Sequence, residues 1–98
     1  MRYFIKFSYD GSCFYGFQRQ IGLKTVQGVI EEALMSLNGN VVNLCASGRT
    51  DKGVHAIEQC AHFDLNIDVK EYNLKKYLNN CFEGEIHVFS LEKVSDEF

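Results

Sequence analysis

No apolar run in this sequence of 98 residues approaches the ~20 that a bilayer-spanning helix needs, which excludes a transmembrane α-helix. The opening Met1-Arg2-Tyr3-Phe4 passes straight into an alternating pattern and lacks the layout of a signal peptide, so the expected location is the cytoplasm. Closely paired cysteines are missing too. The four, at 13, 45, 60 and 81, form no C-x-x-C, and the nearest histidine gives only Cys60-x-His62. A zinc site carries closer ligand pairs, so all four read as reduced thiols, mostly buried as small hydrophobes, and no metal is expected. Proline is absent. There is no internal repeat, low-complexity tract or linker, which leaves one domain over residues 1–98.

Positive charge is also scarce, the formal net charge being −3. Residues 1–53 carry six Lys/Arg against four Asp/Glu, and residues 54–98 carry four against nine. The mild basic excess of the first part permits a local phosphate-binding face, but it is not the basic stripe of a dedicated nucleic-acid binder. What the chain does have is apolar material, with 46% hydrophobic and 13% aromatic residues. That suffices for a core that removes about 60–70% of the unfolded surface from water.

Residues 2–10 alternate, with Tyr3, Ile5, Phe7 and Tyr9 on one face and Arg2, Lys6, Ser8 and Asp10 on the other, which predicts a strand. Phe4 falls among the polar set, so cover is expected on that face as well. Residues 11–23 form a loop with three glycines and three aromatics. Phe14, Tyr15 and Phe17 either cap the end of the core or, with Arg19, make a platform for bases and phosphates. Residues 25–38 predict a helix whose stripe is Val26, Val29, Ile30, Ala33, Leu34 and Leu37, with Thr25 as N-cap and Asn38-Gly39 as a left-handed stop. Glu31 and Glu32 face away from the stripe and read as solvated. Two strands follow, over 41–46 and 54–65; in the second, Ile57, Gln59, Ala61, Phe63 and Leu65 share a face opposite Glu58, Cys60, His62 and Asp64. Residues 68–81 predict another helix, opened by an approximate Asp68–Glu71 capping pair, with Lys70, Lys75 and Lys76 exposed. Glu83-Gly84 then turns the chain into a last strand over 85–94. The order β-α-β-β-α-β is that of a ferredoxin-like α+β fold, a four-stranded antiparallel sheet with two helices on one face.

The segment that does not fit a bland small domain is 47–56, Ser-Gly-Arg-Thr-Asp-Lys-Gly-Val-His-Ala. A plain hairpin joins strands with about two to five residues, and this connection is longer. Gly48 and Gly53 permit a sharp turn or a close backbone approach, and Arg49 and Asp51 stand two residues apart between strands. On composition alone the segment is a solvated hairpin with an ion pair worth at most about 1 kcal/mol.

The wording Gly-Arg-Thr-Asp-x-Gly-Val-His-Ala changes that reading, because it resembles the catalytic motif of the tRNA pseudouridine synthase A family. Tyr9-Asp10-Gly11, Phe14-x-Gly16-Phe17-Gln18-x-Gln20 and Thr25-Val26-Gln27 match the same family's wording. Phe17 stands where the family commonly has tryptophan, and Cys81-Phe82-Glu83 where it often has Leu-Pro before the last strand. The resemblance implies isomerisation of uridine to pseudouridine in the anticodon stem-loop of tRNA, with Asp51 as nucleophile and no cofactor. Arg49, Thr50, Lys52, Gln18 and Arg19 would contact RNA; Gly48, Gly53, His55 and Tyr9 would support the site. Arg49 either fills the space of a flipped uridine or grips a flanking phosphate. Family enzymes run to well over twice this length and are expected to be homodimers. Their second half supplies a base-stacking tyrosine and a basic partner for the aspartate, so this chain is expected to be an inactive N-terminal portion, prone to self-association through an uncovered sheet face. Two other classes compete: an RNA-recognition module, whose third-strand aromatic signature is absent from Val54-His55-Ala56-Ile57-Glu58-Gln59, and a ferredoxin-like ligand-binding or structural domain.

Overall fold

The structure, a computed structural model, describes residues 1–46 and 56–97. In chain order it comprises β1 (Arg2–Tyr9), a single 3-10 turn (Gly11–Cys13), α1 (Val26–Asn38), β2 (Cys45–Ala46), β3 (Ala56–Asp64), α2 (Glu71–Phe82) and β4 (Ile86–Val94). The strands form one antiparallel sheet in the order β2-β3-β1-β4, the ferredoxin-like arrangement. Alternation in β1 is realised in full: Tyr3, Ile5, Phe7 and Tyr9 are buried, and the residues between them are half-buried. Against their face pack Ile30 and Leu34 of α1 and Leu74 and Leu78 of α2. The two helices are also tied directly, the Tyr77 hydroxyl donating to the Ala33 carbonyl at 2.8 Å.

Helix α1 starts and stops as its sequence dictates. The Thr25 hydroxyl accepts from Gly28 N–H at 3.2 Å, and Gly39 closes the helix at φ 78°, its N–H donating to the Met35 carbonyl. Helix α2 begins later than the capping pair predicted. Its N-cap is Lys70, with no side-chain cap bond, because Asp68 is drawn to Lys93 of β4 and Glu71 Oε2 accepts from the Lys93 backbone N–H at 3.3 Å. A tertiary ion pair thus displaces the local cap.

Strand β4 carries an irregularity that alternation does not foretell. Lys6 pairs with Ser90 and Phe7 with Val88, so Phe89 is the extra residue of a bulge. The bulge re-phases the strand, putting both Val88 and Leu91 against the core while Phe89 stays exposed. The cysteines also depart from expectation: all four are free, but Cys45 and Cys81 are exposed and Cys13 and Cys60 only half-buried. Only Cys13 packs against the core, and Cys60 pairs with Lys6 on the sheet face turned away from it.

Candidate active-site rim

The register of the sheet decides which loops meet. Tyr9, the last residue of β1, pairs with Ala56, the first of β3. The chain therefore leaves β1 toward residues 10–24 at the same sheet end at which it enters β3. Residues 47–55 lie outside the described part of the structure, and with them Gly48, Arg49, Thr50, Asp51, Lys52, Gly53 and His55. The described half of the candidate site is the aromatic loop.

That loop is built from its two buried rings outward. Phe14 and Phe17 are buried, Phe17 lying 6.3 Å from Phe7 and 6.1 Å from Tyr9 between ring centroids, and Phe14 meeting Tyr9 edge-on at 6.2 Å. Core capping thus accounts for two of the three aromatics, and Tyr9 belongs to the same cluster. Tyr15 is the one left exposed, its N–H donating to the Lys24 carbonyl at 2.7 Å. Asp10 shapes the entry: its Oδ1 accepts from Ser12 N–H at 3.0 Å and from the Ser12 hydroxyl at 2.6 Å. Gly16, at φ 85°, turns the chain so that its carbonyl and that of Phe17 accept from Val26 and Gln27 N–H at the open end of α1. Gln18 and Arg19 emerge on the surface from this turn.

Glu31 lies off the apolar stripe and is expected to be solvated; the structure buries it instead. The residue is 3% exposed, and its carboxylate is a junction. Oε1 accepts from Arg19 Nη1 at 2.7 Å; Oε2 accepts from Gln27 Nε2 at 3.0 Å and from the Leu44 backbone N–H at 2.8 Å. Gln27 in turn accepts from the Arg19 N–H through Oε1 at 2.9 Å. Loop, helix and the approach to β2 are held by one buried anion, with its charge compensated by arginine. The contact also explains why β2 is only Cys45–Ala46 where six residues were expected: the Leu44 N–H goes to a carboxylate and not into a strand ladder. The i, i+4 spacing of Gln27 and Glu31 was the one signal of this network in the sequence.

Beside the network, an open hollow of about 650 Å³ lies between residues 20–24 and the first turns of α1. Lys24 at its edge is paired with Glu85 at 2.7 Å. Among the described residues, no group of three His, Cys, Asp or Glu side chains is placed to hold a metal ion, and no helix is long and apolar enough to cross a membrane.

The fold and rim define a ferredoxin-like α+β domain whose first loop and whose entry into β3 share one sheet end. Residues 5–97 match the family described as tRNA pseudouridine synthase, and the chain belongs to that family. Among its relatives, tRNA pseudouridine synthase A of Oceanobacillus iheyensis is 46% identical over 92 residues, 93% of this chain and 36% of the relative. The protein of that name from Borreliella burgdorferi is 47% identical over 92 residues, 93% of this chain and 37% of the relative. That from Anaplasma marginale is 42% identical over 101 aligned positions, covering all of this chain and 41% of the relative. The chain thus spans about two fifths of the length of the curated relatives it matches.

Proposed function

We propose that this chain forms one wall of the active site of a cytoplasmic synthase that isomerises uridine to pseudouridine in the anticodon stem-loop of tRNA, with Asp51 as nucleophile. The observation that carries the reading is the pairing of Tyr9 with Ala56, which brings the exit of β1 and the entry of β3 to one sheet end within a chain that belongs to the family. Segment 47–55 enters β3 there, so the Arg-Thr-Asp motif is expected at the rim, near the loop that bears Gln18 and Arg19.

The reaction exchanges one glycosidic bond for another. The N1–C1′ bond of uridine breaks, the base turns, a C5–C1′ bond forms, the C5 proton leaves to solvent and N1 takes up a proton. A carboxylate can hold the covalent intermediate between these steps without metal or redox chemistry. Asp51 must be ionised to attack, and a guanidinium two residues away in Arg49 favours that form. A stacked base is out of reach, so the uridine is flipped from its helix, with Arg49 at the vacated position or on the flanking phosphate. Thr50 and Lys52 add contacts to the backbone; Gly48, Gly53 and His55 set the course of the segment.

The test is tritium release from tRNA labelled at uracil carbon 5, with the full-length protein that contains these residues and its Asp51→Asn variant. The wild type is expected to release tritium and the amide, equal in shape but not nucleophilic, to release none while melting within a few degrees of the wild type. Wild-type turnover by the variant, with deamidation excluded by mass spectrometry, removes Asp51 from the role. Binding of tRNA without any release from the wild type favours a non-catalytic RNA-binding domain.

A further inference from the structure

We propose that Glu31 is a positioning residue for RNA binding: its buried carboxylate holds one edge of the Arg19 guanidinium so that the other is presented to a phosphate. The inference rests on the reading that Arg19 meets RNA, and adds to it the residue through which that contact is set. The geometry is asymmetric. Glu31 is 3% exposed whereas the Arg19 side chain is 51% exposed, so the pair has a fixed end and an open end. Only Nη1 of the guanidinium is engaged by Glu31, and among the described residues no other acceptor lies on that group. The Arg19 backbone is fixed too, its N–H held by Gln27. A guanidinium so held keeps a planar donor edge free for two parallel bonds to a phosphate, with little rotamer entropy left to lose. Oε2 of Glu31 meanwhile holds Leu44 N–H, two residues before Ala46 at the end of β2. The same carboxylate therefore joins the phosphate contact to the run of chain that leads to Asp51.

Charge and position predict opposite signs, which makes the idea testable. Glu31→Gln removes one negative charge, and a bare charge effect strengthens binding to a polyanion. Loss of positioning weakens it. In the full-length protein, tRNA affinity is measured against salt concentration for the wild type, Glu31→Gln, Arg19→Gln and the double variant, with thermal melts of each and with kcat and KM from tritium release. Both single variants are expected to bind tRNA about tenfold more weakly, with KM raised and kcat at saturating tRNA held within about twofold. The slope of log affinity against log salt falls by about one in both, as for the loss of one phosphate contact. The double variant is expected to be no weaker than Arg19→Gln, because the two residues act as a unit. Unchanged or tighter binding by Glu31→Gln overturns the proposal, as does a full salt slope. If that variant melts below the assay temperature, Glu31→Asp, which keeps the charge but cannot reach Arg19 and Leu44 together, must show the same loss, and wild-type binding by it overturns the proposal equally. Wild-type binding by Arg19→Gln removes both the contact and its positioning residue; tritium release by the wild type shows separately whether the synthase reading stands.

Discussion

At the scale of single residues, chemistry is carried by groups whose partners lie far off in sequence. Arg2 and Asp64 illustrate this at the sheet end opposite the Tyr9–Ala56 rim: Nε donates to Oδ1 at 2.8 Å and Nη2 to Oδ2 at 3.0 Å, a bidentate pair across neighbouring strands. The bonds from Arg2 hold the Asp64 carboxyl below its ordinary value. A carboxylate whose folded pKa is depressed contributes stability that is present above its unfolded pKa of about 4 and is lost as pH falls through the folded value. Asp64→Asn is therefore expected to lower the melting temperature slightly at pH 7 and by less near about pH 3, where the unfolded carboxyl is mostly protonated. Melts at both values check it, and an equal loss at the two removes the ion pair as its cause. Asp64 is largely exposed, so the effect is small at either end. Arg19–Glu31 differs because one partner is buried, which fixes one end of the pair.

At the scale of elements, what could be read from the sequence was whatever a period encodes. The alternation of β1, the stripe of α1 with its Thr25 and Gly39 ends, and the order of strands and helices all appear where the pattern put them. What could not be read depends on partners that no local window contains. Asp68 abandons its cap for Lys93, Leu44 leaves the ladder for Glu31, and the bulge at Phe89 exists only by pairing with β1. A carboxylate off the apolar stripe looks solvated until the loop that covers it is known, which is why Glu31 was missed. Of the candidate site, Gln18 and Arg19 emerge on a described loop, while the Arg-Thr-Asp motif was legible as words alone and lies outside the described residues. Asn79 belongs to the same class of long-range partner. Its Oδ1 accepts from Val88 N–H at 2.8 Å and its Nδ2 donates to the Val88 carbonyl at 2.9 Å, as a fifth strand would do. Asn79→Ala leaves both groups of edge strand β4 unpaired and is expected to cost about 1–3 kcal/mol by denaturant unfolding. A loss below about 0.5 kcal/mol would mean that water replaces the amide freely.

At the scale of the whole molecule, one sheet face is covered by helices and the other is not. On the open face Phe4 is half-buried and Phe89 is 37% exposed, stacked on His87 with ring centroids 6.4 Å apart. Both rings sit beside polar neighbours, so the patch is small. In the resemblance that the motifs carry, the second half of the enzyme forms the other wall of the cleft, and it brings the base-stacking tyrosine and a cation for Asp51. The isolated 98-residue chain is therefore expected to fold, to pair weakly through the patch, and to be inactive. Sedimentation velocity is expected to show a concentration-dependent dimer that Phe89→Ser dissolves, since losing one exposed ring from so small a contact removes most of its apolar area. An unchanged dimer would place the contact elsewhere on the surface. Activity tests the stronger statement. On the mechanism proposed above, a site without a ring to stack on the flipped uridine is expected to turn over poorly, whatever its affinity for tRNA. Carbon-5 tritium release by this chain is expected to fall about a hundred- to a thousandfold below that of the full-length protein, the scale on which losing one positioned group acts. Comparable release by both would show that residues 1–98 hold a complete site, and the open sheet face would then be a surface of the enzyme and not the floor of a shared cleft.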